Sequence, residues 1–120
     1  MDERYFLEPT EEEVEEIEVI TEVKITEETA FNKASAERKL YDGIQKFWRF
    51  KNNLGASVVK HRGSYGSDDG LWELGVLQFT PKDGEKTEWH LTYSTPITDD
   101  VLGYLSETQV EEILEKIKNL

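Results

Sequence analysis

The period with which apolar and polar residues alternate changes several times along the chain, and each change marks an element. From Ile17 the alternation is strict, with Ile17, Val19, Thr21, Val23 and Ile25 on one side and Glu18, Glu22 and Lys24 on the other, the period of a half-buried strand. Thr26-Glu27-Glu28-Thr29 then supplies a capping residue and two carboxylates, while Arg38 and Lys39 precede Gly43. Acids suit the positive end of a helix dipole and bases the other, so a helix near 27–42 is expected. Ile44 to Lys51 is rich in aromatic residues, and the turn-forming Asn52-Asn53-Leu54-Gly55 separates it from Ala56-Ser57-Val58-Val59-Lys60. This punctuation predicts a hairpin.

Leu71 to Phe79 is apolar on both faces, as a central strand covered on both sides should be. Pro81-Lys82-Asp83-Gly84 turns it back toward Trp89-His90-Leu91-Thr92-Tyr93. At the C-terminal end Ser106 and Gln109 form a capping box, and Val110, Ile113, Leu114 and Ile117 make an apolar stripe at helical spacing, with Glu111, Glu112, Glu115, Lys116 and Lys118 facing water. The expected fold is α+β: a mainly antiparallel meander sheet of four to five strands, this C-terminal helix packed on one face, and the second helix near 27–42. Residues 17–120 are read as a single domain. An acidic segment, 1–16, precedes it; Thr10 and Glu13 have capping-box spacing but little apolar surface follows them, so its order stays open.

Length and composition narrow the class. A chain of 120 residues supports one core. No stretch approaches the roughly 20 apolar residues of a membrane span, and Met1-Asp2-Glu3-Arg4-Tyr5-Phe6 lacks the layout of a signal peptide, so a cytoplasmic protein without membrane contact is expected. With no cysteine, disulfides, thiolate nucleophiles and thiolate metal sites are all absent. The net charge of -12 is unevenly spread: -10 over residues 1–30, +6 over 31–62 and -8 over 63–120. Such a field disfavours nucleic acid and anionic membrane and favours basic protein surfaces within a Debye length of roughly 8–10 Å. The acidic carboxylates Glu11, Glu12, Glu13, Glu15, Glu16, Glu18, Glu22, Glu27 and Glu28 are the candidate partner-binding residues. They could equally lie against the basic middle of their own chain.

Candidate chemistry is sparse, and neither a cofactor nor a catalytic set is expected. The loop Arg62-Gly63-Ser64-Tyr65-Gly66-Ser67-Asp68-Asp69-Gly70 is glycine-rich but lacks the lysine and following helix of a phosphate-binding loop, so it reads as a connection with glycines at positive φ. Tyr65, Asp68 and Asp69 are its candidate functional residues. Asp99 and Asp100 read as caps of a short helical turn, Val101 to Leu105, rather than as metal ligands. His61 and His90 lack the spacing of a zinc site, although with Asp68 and Asp69 they would be the centre of a small metal-dependent enzyme, one alternative. Glu73 and His90 could face each other across a hairpin. The other alternative is a single-stranded nucleic-acid binder using Lys46, Trp48, Arg49 and Lys51, because rings stack on bases and cations meet phosphates. Strand alternation sends Trp48 and Phe50 to one face and Phe47, Arg49 and Lys51 to the other, so one aromatic set at least should be core.

Several ordered blocks carry a resemblance: Asn53-Leu54-Gly55-Ala56-Ser57-Val58-Val59, Ser64-Tyr65-Gly66, Gly70-Leu71-Trp72-Glu73-Leu74-Gly75-Val76-Leu77, and Leu91-Thr92-Tyr93-Ser94-Thr95-Pro96-Ile97-Thr98-Asp99-Asp100-Val101-Leu102-Gly103-Tyr104-Leu105. Over about residues 47–120 the chain resembles a family of small uncharacterised proteins encoded by bacteriophages and prophages. The resemblance implies work in the bacterial host cytoplasm and transfers no catalytic or binding residue. Combined with the charge, it gives the leading expectation: a non-enzymatic phage accessory protein that binds a host protein with a basic surface, in one form as a nucleic-acid mimic that inhibits a host DNA-binding or defence factor.

Overall fold

Five consecutive strands form an antiparallel meander in the computed structural model, which describes residues 20, 22–81, 87–98 and 100–120. They are β1 (Ala36–Leu40), β2 (Gly43–Arg49), β3 (Leu54–Lys60), β4 (Trp72–Pro81) and β5 (Thr87–Leu91). A sixth strand, β6 (Leu102–Leu105), also pairs with β4, through Trp72↔Leu105 and Leu74↔Leu102 with a register shift between them. β5 takes the far half of β4, from Leu77↔Leu91 to Pro81↔Thr87. β4 therefore sits at the centre, flanked by β3 on one side and by β5 and β6 on the other. That position explains why its sequence is apolar on both faces.

Directly paired residues share a face of the sheet, so the register assigns each side chain. Trp48, Ala56 and Val76 are in line across β2, β3 and β4, on the face covered by α1 (Glu107–Lys118). There Val110, Leu114 and Ile117, buried at helical spacing, meet Trp48, Phe50, Val58, Trp72 and Leu74. Ser106 accepts from the Gln109 backbone at 3.2 Å, and its own N–H donates to the Gln109 side chain at 2.9 Å, so the expected capping box is formed. At the other end Asn52, in the β2–β3 turn, donates to the Ile117 carbonyl at 3.0 Å. A smaller cluster of Val23, Phe47, Leu77 and Phe79 fills the opposite, helix-free face.

Three expectations are corrected. The segment 27–42 is not helical: its later half is β1, in which Ala36, Arg38 and Leu40 alternate with Glu37 and Lys39. Thr26 does accept from the Glu28 backbone at 3.0 Å, but this turn is local. Beyond it the chain is extended, as Ser35 N–H bonds the Phe47 carbonyl at 2.7 Å and β1 joins the ladder. Likewise 101–105 contains a strand instead of a helical turn, because β6 completes the hydrogen bonding of β4. The strand expected from Ile17 to Ile25 is not formed among its described residues; Val23 is buried while Ile25 is 50% exposed, so the two do not share a core face. Residues 1–16 and the turn at 82–84 lie outside the described residues.

Candidate functional site

Sequence-distant carboxylates are gathered where residues 27–31 lie against α1. Glu111 accepts the Phe31 backbone N–H at 2.8 Å, and Glu115 accepts the Thr29 hydroxyl at 3.2 Å. The contact is held from below by the Phe31 ring, edge-on to Trp72 at 4.8 Å. This contact joins two acidic stretches, exposed Glu27 and Glu28 just before it in the chain and Glu111, Glu112 and Glu115 on α1, into an acidic ridge. Part of its charge is balanced within the chain, by Lys51 at 3.4 Å from Glu27 and Lys33 at 4.0 Å from Glu28. Such exposed pairs are worth little and leave the ridge accessible. Glu22 is exposed as well, whereas the candidates Glu11, Glu12, Glu13, Glu15, Glu16 and Glu18 fall outside the described residues.

The basic-aromatic strand β2 is not arranged for stacking on bases. Trp48, Phe47 and Phe50 are buried, because β2 is covered on both faces. Arg49 clamps the N-terminal segment to the β2–β3 turn, donating to the Val23 carbonyl and to the Asn53 side chain, each at 3.1 Å. Lys46 pairs with Glu37 at 3.0 Å and lies 4.9 Å from the centre of the Phe31 ring. Lys51 is exposed in its pair with Glu27. Strand alternation placed the aromatic sets correctly on opposite faces, but both faces are core.

The glycine-rich loop is a compact structural corner. Ser67–Asp69 makes a 3₁₀ turn bracketed by Gly66 and Gly70, both left-handed, with φ of 94° and 71°. A Cβ on Gly66 would also come within 2.9 Å of the Tyr104 Cα, so the loop needs glycine to approach β6. Tyr65 stacks on Tyr104 at 6.3 Å, and Asp68 and Asp69 are exposed. Glu73 pairs with Val59 and His90 with Gln78, so these two do not face each other. Among the described residues no group of three or more His, Asp or Glu side chains is placed to hold a metal.

A second site, which sequence reasoning missed, opens on the helix-free face. Arg38 Nε donates to Gln45 Oε1 at 2.7 Å, and Gln45 Nε2 donates to Ser57 Oγ at 2.7 Å, carrying a polar row across β1, β2 and β3. Glu73 on β4 adds a carboxylate only 8% exposed. Ser57 and Glu73 line a cleft of about 220 Å³ with Tyr41, His61, Leu40, Val59, Leu91 and Val101. At its rim Tyr41 has φ 54°, in the left-handed region, and packs edge-on against His61 at 4.9 Å. Burial pushes the His61 pKa down, against the opposing influence of Asp42. Its Nδ1 accepts the Gly63 N–H at 3.0 Å, an arrangement that suits the neutral imidazole with its proton on Nε2. Gln45, Ser57 and Glu73 are far apart in sequence, and only strand register brings them together. No family model, curated protein or solved structure matches the chain.

Proposed function

We propose that the protein is a non-enzymatic binding protein whose acidic ridge docks on a protein with a basic surface. The observation that carries this is the bridge from Phe31 and Thr29 to Glu111 and Glu115, which sets two acidic stretches of the sequence side by side. With a net charge of -12, long-range attraction would steer a basic partner, and a ridge of closely set carboxylates would give the encounter a preferred site. The resemblance of residues 47–120 to phage and prophage proteins supports a more specific form. In it, the chain is an accessory factor in the bacterial host cytoplasm that occupies the nucleic-acid-binding surface of a host DNA-binding or defence protein.

The test is affinity capture from bacterial lysate with the intact chain, with nuclease treatment in parallel, beside the Glu27→Gln, Glu28→Gln, Glu112→Gln triple variant. These three side chains are exposed and do not make the bridge. A discrete protein that survives nuclease, weakens with salt and is lost from the triple variant would support the proposal. Equal capture by the variant, or recovery only of nucleic acid, would refute it.

A further inference from the structure

We propose that a groove beside the acidic ridge receives a short basic-apolar segment of the partner protein, with aliphatic side chains in the groove and lysine or arginine on the carboxylates of its rim. This rests on the acidic-ridge reading and specifies the chemistry of its partner. Glu112, Glu115, Lys116 and Asn119 recur at the spacing of one helical stripe, and together with Pro96 and Ile97 they line an open groove of about 710 Å³. Its surface is mainly apolar. Leu120, also in the lining, is 44% exposed, while Ile97 is half-buried and packs on the core beneath α1.

Charge decides among the possible occupants. Two carboxylates and one ammonium line the groove. Glu112 is exposed and makes no ion pair among the described residues, and a glutamate in water is ionised at neutral pH. Glu115 is exposed too; it accepts the Thr29 hydroxyl and the Asn119 amide, each at 3.2 Å, and both donors are neutral, so its charge is not cancelled. Lys116 offsets only one of the two. An apolar centre with a charged rim is the anatomy of a protein interface. Anionic lipid and nucleic acid are repelled by this rim, and a second copy would set two chains of net charge -12 against each other. A free small molecule is disfavoured because an open groove does not enclose the roughly 70–90% of its surface that a ligand pocket buries.

The full chain is titrated with the amidated peptide acetyl-Lys-Arg-Leu-Leu-Lys and followed by backbone amide shifts, with saturable changes expected at Ile97, Lys116 and Leu120. An analogue with serine for both leucines should bind about tenfold more weakly, because the apolar contact is lost, and an analogue with glutamate for each base should not saturate. Leu120→Ser, at an exposed position, should weaken the leucine peptide about fivefold and leave the serine analogue unchanged. Glu112→Gln should weaken both basic peptides about twofold, the scale of an exposed charge pair. Equal binding of the leucine and serine peptides would overturn the groove and leave the ridge standing. No saturation by the leucine peptide, or equal binding of the acidic analogue, would overturn it as well. Failure of the ridge itself is read separately, from unchanged lysate capture by the triple variant.

Discussion

Glu111, in the first turns of α1, accepts the backbone N–H of Phe31 at 2.8 Å, across 80 residues of sequence. This contact anchors the segment entering the sheet, because Phe31 also sets its ring against Trp48 and Trp72. It is structural and electrostatic together, since it positions the carboxylates of two segments on one ridge. Glu111→Ala should cost about 1–3 kcal/mol, the usual effect of stranding a part-buried donor. Urea unfolding measures the loss, and amide exchange at Phe31 should accelerate more than exchange in β3.

Two glycines should differ sharply when replaced by alanine. A Cβ on Gly55 would come within 1.8 Å of the Trp48 carbonyl oxygen, which is backbone and part of the β2–β3 ladder. Gly55→Ala should therefore cost about 3 kcal/mol or more, at the upper end of overpacking. At Gly70 nothing lies within 4 Å, but φ is 71°, so Gly70→Ala should cost only about 1–2 kcal/mol of left-handed strain. Thermal or urea unfolding of the two variants decides the order.

The capping box gives a third prediction. Ser106→Ala removes the acceptor for the Gln109 N–H and should destabilise the fold by about 1 kcal/mol. Thr108→Ala, at an exposed position in the first turn of α1, should change stability much less in the same urea titration.

How far the fold can be read from sequence depended on whether local pattern and tertiary pairing agreed. They agree in α1, where Ser106, Gln109 and the Val110, Leu114, Ile117 stripe all indicate a helix, and in the β2–β3 hairpin. They conflict at Ala36-Glu37-Arg38-Lys39-Leu40, five good helix formers that become β1 because β2 offers a ladder and Lys46 faces Glu37. Propensity is a weak prior against such pairing. Leu102-Gly103-Tyr104-Leu105 was hidden for a related reason: its partners on β4, Leu74 and Trp72, are distant in sequence, and β4 itself carries no sign of how many neighbours it has. The cleft was illegible because Gln45, Ser57 and Glu73 carry no motif, and their common face follows only from register.

Acidification should weaken the fold through His61. Its folded-state pKa lies below the ordinary value of 6.5, chiefly through burial, so the unfolded chain binds the proton first as pH falls. The stability contributed by the neutral ring is therefore present in full above about pH 6.5 and is lost as pH falls from there through the folded-state value. An NMR titration of the His61 ring should show a midpoint below 6.5. Between pH 7.5 and 5.5, His61→Gln should lose less stability than the wild type; an equal loss would assign the slope to other groups.

The most direct measurement of the acidic ridge is the affinity of the intact chain for its captured protein partner, compared with the Glu27→Gln, Glu28→Gln, Glu112→Gln variant across a salt series. The wild type should bind more tightly at low salt and lose affinity steeply as salt rises, while the variant should bind weakly with a shallower dependence. Equal affinity and an equal salt slope for the two proteins would contradict a function based on this ridge.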